Sequence, residues 1–164
     1  MRHKVRVRHY PDRRLSFLEV KTRRSELRTT KACRERDYGD DVLSASDHAF
    51  VRLHAGLDES VLPQAWTSFR RITLVGIHSC ERVTVDIGLV VHMGRHERQL
   101  GAVNIVEVKQ WPFRRHTPAM SALRNAGHRP CSVSKYCAAI TWMHPEVQHN
   151  RLLPGLRELE RGAA

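Results

Sequence analysis

The chain has 164 residues, enough for one domain with a buried core, and 41% of them are hydrophobic, which argues against disorder. No run approaches the ~20 apolar residues of a membrane span, and the basic N-terminus lacks the apolar segment of a signal peptide, so we expect a cytoplasmic protein without a membrane segment. Lys and Arg number 28 against 17 Asp and Glu, and this net charge of +11 attracts anionic partners.

The first predicted strands each have one apolar face and one charged face. Basic residues alternate with valines from Lys4 to Tyr10, and a second alternating strand runs from Leu15 to Lys21 after a turn at Pro11 and Asp12. A further basic strand contains Lys31. The charged side chains that share a face of these strands are Lys4, Arg6, Arg8, Glu19, Lys21 and Lys31.

A helix is predicted from Ser46 to Leu57. Phe50 and Leu53 recur at helical spacing with Leu57, and Ser46 or Asp47 can cap the N-terminus.

Three more strands are predicted at 70–77, 81–89 and 103–110. Each again alternates apolar with polar residues, and Val106-Glu107-Val108-Lys109 repeats the pattern of Leu18-Glu19-Val20-Lys21. The apolar positions of the first of them are Ile72 and Leu74. The charged side chains on the polar faces of the three strands are Arg71, Arg82, Asp86, Glu107 and Lys109.

The C-terminal part of the chain is predicted to be helical. One helix begins at Thr117 and ends at Gly127, and another runs from Ser134 to His144. We expect one domain over residues 1–148 and a tail over residues 149–164 that forms a short helix.

The charged faces admit two interpretations. A surface strand of an antiparallel sheet alternates in the same way, and its polar face is simply solvated. Repeated Arg and Lys two residues apart favour a face that binds a polyanion, because like charges on neighbouring strands repel unless anions or carboxylates neutralise them. If the sheet closes with this face inward, it forms a tunnel with a basic interior.

A zinc site is not favoured. The cysteines form no CxxC pair, and a set of His128, Cys131, Cys137 and His144 matches none of the usual spacings of zinc ligands. In a protein without a secretory signal we expect reduced thiols.

Several segments occur together in the order found in a known family. They are Arg2–Tyr10, Phe17–Lys21, Arg71–Leu74, Glu81–Asp86, Val106–Gln110 and Ser134–Cys137. Together they resemble the VTC domain of polyphosphate polymerases, which belongs to the triphosphate-tunnel (CYTH-like) superfamily.

The resemblance implies an α+β fold: an antiparallel, barrel-like tunnel with a polar interior, flanked by helices. It implies transfer of the terminal phosphoryl group of ATP to inorganic polyphosphate, assisted by a divalent metal, Mn²⁺ or Mg²⁺. Family members usually carry a further N-terminal portion, and this chain starts almost on the Arg-x-Arg strand. We therefore expect a tunnel that is incomplete at its N-terminus, and weak or no turnover by the chain as given.

The resemblance also implies roles for individual residues. Catalytic roles fall to Arg6, Arg8, Lys21, Arg71 and Lys109. Further phosphate-binding roles fall to Lys4, Lys31, Arg82 and Lys135. Glu107 is the expected metal ligand, whereas Glu19 and Asp86 are expected to form ion pairs that space the cations apart.

The sequence departs from the family at two positions and leaves other functions open. Cys33 stands where a second basic residue is usual after Lys31, and Phe69 stands where an aromatic hydroxyl is usual. Arg34 lies one position late and would face the other side of the sheet, so it receives no role. The alternatives are a non-catalytic polyphosphate- or triphosphate-binding module and a triphosphate hydrolase. Specific nucleic-acid binding is not expected, because the aromatic residues do not interleave with the basic strands.

Overall fold

Two α+β units make up the chain in the computed structural model, which describes residues 2–23, 29–57 and 60–163. The units are Met1–Pro63 and Gln64–Ala164. Each contains one antiparallel sheet with helices, so the predicted α+β class is confirmed. The described strands form two open sheets and no closed barrel. None of the described helices is long and apolar enough to cross a membrane.

The first unit is a meander of three strands with one helix on its apolar face. The elements are β1 (Arg2–Tyr10), β2 (Leu15–Arg23), β3 (Thr29–Arg36) and α1 (Ala45–Ala55). β2 lies in the middle and pairs with both neighbours. Leu18 and Val20 share a face of β2, as predicted, and bury it with Val51 and Ala55 of α1. The other face of the sheet carries the predicted charged residues.

The limits of α1 differ from the prediction. Ser44 is the N-cap: its hydroxyl accepts from the Asp47 backbone N–H, and the Asp47 carboxylate accepts from the Ser44 backbone N–H. This reciprocal capping box stabilises a helix that starts earlier than the one predicted from Ser46, so the predicted N-cap of α1 was wrong. Leu53, one of the three apolar residues at helical spacing, is 76% exposed, whereas Val51 is buried.

The second unit is a four-stranded sheet with three helices. The elements are β4 (Trp66–Val75), β5 (Glu81–Met93), β6 (His96–Leu100), β7 (Ile105–Gln110), α2 (Pro118–Asn125), α3 (Lys135–Met143) and α4 (Leu153–Ala163). The long β5 is central. One of its edges pairs with β4, and the other pairs first with β7 and then with β6. The strand β6 was not anticipated from the sequence.

Helices α3 and α4 cover the C-terminal half of β5. Leu89 and Val91 of β5 pack with Ala139 of α3 and with Leu156 and Leu159 of α4. The helix predicted over these last two leucines is therefore present, and both are buried. The division of the chain at residue 148 stays a prediction.

Around the N-terminal half of β5, polar residues are buried and apolar residues are exposed, the reverse of the usual pattern in a sheet. Thr84 and Asp86, on its polar face, are buried, whereas Ile72 and Leu74, on the apolar face of β4, are exposed. A solvated polar face, as in an ordinary half-exposed sheet, would show the opposite pattern. The polar face of this unit is therefore buried at Thr84 and Asp86, while Arg82, Glu107 and Lys109 on the same face are exposed.

Candidate functional site

A row of three lysines crosses the sheet of the first unit. Lys4, Lys21 and Lys31 are register partners on β1, β2 and β3. Neighbouring strands lie about 4.8 Å apart, so these like charges repel one another unless carboxylates or bound anions neutralise them. All three residues are exposed, which leaves that position accessible to a ligand.

These lysines belong to a larger surface that we call the first charged face, where cations outnumber carboxylates. Its charged members on the described strands are Arg2, Lys4, Arg6, Arg8, Glu19, Lys21, Arg23, Lys31 and Glu35. The face thus brings together all five cations predicted for the N-terminal part of the chain. Among the described residues Lys21 has no ion-pair partner, and the Arg8 Nη1 donates to a neutral acceptor, the Tyr10 hydroxyl, at 3.0 Å.

Glu19 is a buried carboxylate beneath this surface, with 5% of its area exposed. It forms ion pairs with Arg6 and with Lys31, whose Nζ lies 2.6 Å from Glu19 Oε1. Burial raises the pKa of the Glu19 carboxyl, but the hydrogen bonds from Lys31 and Arg6 outweigh burial, so the pKa lies below its ordinary value. The predicted ion-pair role of Glu19 is confirmed.

The two arginines that follow Cys33 point away from the first charged face. Arg34 and Arg36 both pair with Asp47 of α1, on the helix side of the sheet. Arg34 therefore faces the other side of the sheet, as predicted. Cys33 is exposed and is the register partner of Glu19, so a thiol occupies this position of the charged face.

The second unit has an equivalent arrangement around Asp86, whose side chain is 3% exposed. Arg71 makes two parallel hydrogen bonds to it, Nε to Oδ1 at 2.5 Å and Nη2 to Oδ2 at 2.7 Å. The Lys135 Nζ lies 2.5 Å from Oδ2 and reaches it from the first turn of α3. Burial raises the Asp86 pKa, but these hydrogen bonds outweigh it and lower the pKa. The predicted ion-pair role of Asp86 is confirmed.

Phe69 supports both cations of this cluster and was missed as a functional residue. Its ring centroid lies 5.2 Å from the Arg71 guanidinium carbon and 4.7 Å from Lys135 Nζ. Cations held over a ring face at this distance are stabilised by its quadrupole. The spacing of Phe69 and Arg71, two residues apart on one strand, was the available signal, but the contact with Lys135 depends on where α3 packs.

The remaining predicted residues extend from Asp86 along the same polar surface, which we call the second charged face. Arg82 and Lys109 are register partners, and Thr84 and Glu107 form the next pair. Lys109 Nζ lies 3.4 Å from Glu107 Oε1, and both side chains are about half exposed. The buried hydroxyl of Thr84 has no hydrogen-bond partner among the described residues.

The donor set limits the kind of metal site that the chain can form. No group of three or more His, Cys, Asp or Glu residues that could hold a metal ion occurs in the part of the chain that the structure describes. Mg²⁺ at phosphate-transfer sites is usually held by only one or two carboxylates together with substrate phosphates. Glu107, half exposed on a polar face, fits such a site. The roles of the predicted residues in phosphate binding, metal binding and catalysis stay predictions.

The paired carboxylates make stability sensitive to acid. The pKa values of Glu19, Asp47 and Asp86 are all lowered in the folded chain. Carboxyl groups in the unfolded chain titrate at about pH 4. The stabilisation that these groups provide is therefore complete above that pH, and it is lost as the pH falls through their lower pKa values in the folded chain. We expect the urea midpoint to fall steeply below about pH 4. A midpoint that is unchanged from neutral pH down to about pH 3 would contradict this expectation.

Comparison with known proteins supports the same family as the motifs. The chain matches the VTC domain family over residues 1–144. The matched range contains β1 to β7 and α1 to α3. Comparison with curated proteins and with solved structures gave no match. The chain therefore belongs to the VTC domain family, which is related to the polyphosphate polymerases.

Proposed function

We propose that the chain binds ATP and polyphosphate on its charged faces and transfers the terminal phosphoryl group of ATP to polyphosphate. The excess of positive charge on the first charged face carries this proposal, because seven cations share that face with only two carboxylates, Glu19 and Glu35. A chain of phosphates, with negative charge on every unit, matches a row of cations better than a single carboxylate does. The test is ATP-dependent and metal-dependent formation of polymer by the purified chain, which we expect to be slow.

The buried carboxylates support this chemistry through the cations that they hold. Phosphoryl transfer needs little covalent chemistry from the protein. It depends on positioning of the reacting groups and on neutralisation of the phosphate charge. Glu19 fixes Arg6 and Lys31, and Asp86 fixes Arg71 and Lys135. Cations that are already oriented do not need to reorganise as charge develops on the transferred group. Arg8 and Lys21 remain to contact phosphate directly.

Glu107 would hold the divalent metal. When bound, the metal would neutralise part of the charge of the substrate phosphates. Lys109, two residues along the same strand, would contact an adjacent phosphate and release Glu107 from their ion pair. The half-exposed position of Glu107 leaves room for substrate phosphates to complete the coordination.

A non-catalytic polyphosphate-binding module is the second candidate. The pairing of Glu107 with Lys109 favours it, because a carboxylate already neutralised by a lysine holds a metal less well. A closed tunnel, as implied by the family, remains a proposal, because the described strands form two open sheets.

Binding of tripolyphosphate should depend strongly on the salt concentration and on Lys21 and Arg8, the cations assigned to direct phosphate contact. We expect Lys21→Ala and Arg8→Ala each to weaken binding by about 1–3 kcal/mol at low ionic strength, and we expect added salt to weaken binding by the unsubstituted chain. Calorimetry at two salt concentrations provides the measurement.

Arg13→Ala is the matched control, because it removes one positive charge from the turn between β1 and β2, which lies off the strands of the first charged face. An equal loss of affinity in Arg13→Ala and Lys21→Ala would indicate attraction by net charge alone. Failure of the folded chain to bind tripolyphosphate at low salt would contradict both candidate functions.

A further inference from the structure

A cavity of about 810 Å³ opens at the end of the second charged face. It is lined by residues 75–82, which end β4, turn and begin β5, and by residues 109–111 at the end of β7. Ligand sites in proteins typically enclose about 300–1,000 Å³. The cavity is wide open to solvent, has room for a nucleobase with its sugar, and lies entirely within the second unit.

The lining combines cations with exposed apolar side chains. Arg82 and Lys109, register partners on β5 and β7, form the cationic side. Trp111, two residues beyond Lys109, is 86% exposed, and Ile77 is 90% exposed. The lining thus offers apolar surface together with positive charge, which suits a ligand that has both an apolar and an anionic part. Inorganic polyphosphate, which has no apolar part, makes no use of that area.

The turn that lines the cavity is held in place by its own hydrogen bonds. The Gly76 N–H donates to the Glu81 carbonyl at 2.9 Å, and the Ser79 hydroxyl donates to Glu81 Oε1 at 3.2 Å. The same Oε1 accepts from the Ala119 N–H at 3.3 Å, which ties the turn to the start of α2. A Cβ on Gly76 would lie 2.5 Å from the Ser79 carbonyl oxygen, so only glycine fits. A cavity wall fixed in this way lowers the cost of ordering on binding.

We propose that this cavity binds the nucleobase of a nucleoside triphosphate, with the base stacked on Trp111 and the phosphates directed to Arg82 and Lys109. Charge complementarity sets the orientation, because the cations lie on the side that continues into the second charged face and the apolar residues lie beyond them. Stacking on an indole accepts any base, since every base has a π-face. The inference rests on the proposed function, and it adds that the site distinguishes a nucleotide from an inorganic triphosphate.

Paired affinity measurements with ATP and with inorganic tripolyphosphate test the proposal on the full chain. We expect Trp111→Ala to weaken ATP binding about tenfold and to leave tripolyphosphate binding unchanged, because only ATP loses a stacking partner. Trp111→Phe should retain most of the preference for ATP. Phe113→Ala is the control: this aromatic residue lies two positions further on and is also exposed, but it does not line the cavity.

The outcomes separate this proposal from the proposed function. Selective loss of ATP affinity in Trp111→Ala, with Phe113→Ala unchanged, supports the nucleobase site. No effect of Trp111→Ala, or an equal effect on both ligands, would overturn the nucleobase site while leaving polyphosphate binding intact. Absence of tripolyphosphate binding by the unsubstituted chain would instead overturn the function on which the proposal rests.

Discussion

Replacing Glu107 by glutamine is expected to abolish metal-dependent polymer formation while leaving metal-free polyphosphate binding unchanged or stronger. The substitution removes the carboxylate that we assign to the metal, and it also removes a negative charge from a cationic surface. Radiolabelled or chromatographic detection of polymer, with and without Mn²⁺ or Mg²⁺, measures the first effect. Calorimetry with polyphosphate in the presence of a chelator measures the second.

Glu97→Gln is the matched control for this experiment. Glu97 is also a half-exposed strand carboxylate of the second unit, but it pairs with His92, on the C-terminal part of β5 away from Arg82 and Lys109. It should leave both polymer formation and binding unchanged. Unaltered metal dependence in Glu107→Gln would show that Glu107 serves only as the partner of Lys109, and the chain would then be better described as a binding module.

The strands and ion pairs could be predicted because their signals are local. An alternation of period two identifies a strand without knowledge of its neighbours, and a charged residue two positions from another must share its face. Glu19 and Asp86 were therefore correctly expected to pair with cations. The capping box at Ser44 and Asp47 was also visible as a serine three residues before an acid, although Ser46 or Asp47 was named as the cap.

The features that were missed depend on packing between distant segments. β6 has a single apolar residue, the buried Leu100, and it forms because it pairs with β5. The role of Phe69 requires α3 to bring Lys135 over its ring. The cavity beside Trp111 requires the end of β7 to lie next to the turn after β4. Closure of a barrel is likewise a matter of long-range pairing, which alternation within single strands does not determine.

Asp86→Asn is expected to destabilise the fold by about 3 kcal/mol, because it removes the buried negative charge with which both Arg71 and Lys135 pair. The amide keeps the shape of the carboxylate, but Arg71 and Lys135 then lie close together with no negative charge between them. Their side chains are partly exposed, 29% and 18%, which places the loss at the lower end of the range for buried pairs. The shift of the urea midpoint at neutral pH measures this loss of stability.

Two further variants show whether the loss comes from the ion pairs. Glu107→Gln, which breaks a half-exposed pair on the same face, should cost less than about 1 kcal/mol. Adding Lys135→Met should reduce the cost of Asp86→Asn, because one of the two cations that lose the Asp86 charge is then removed as well. The double-mutant cycle should therefore report a positive coupling. Equal destabilisation by Asp86→Asn and Glu107→Gln, or no coupling to Lys135, would show that Asp86 does not hold the cations of the second charged face in place.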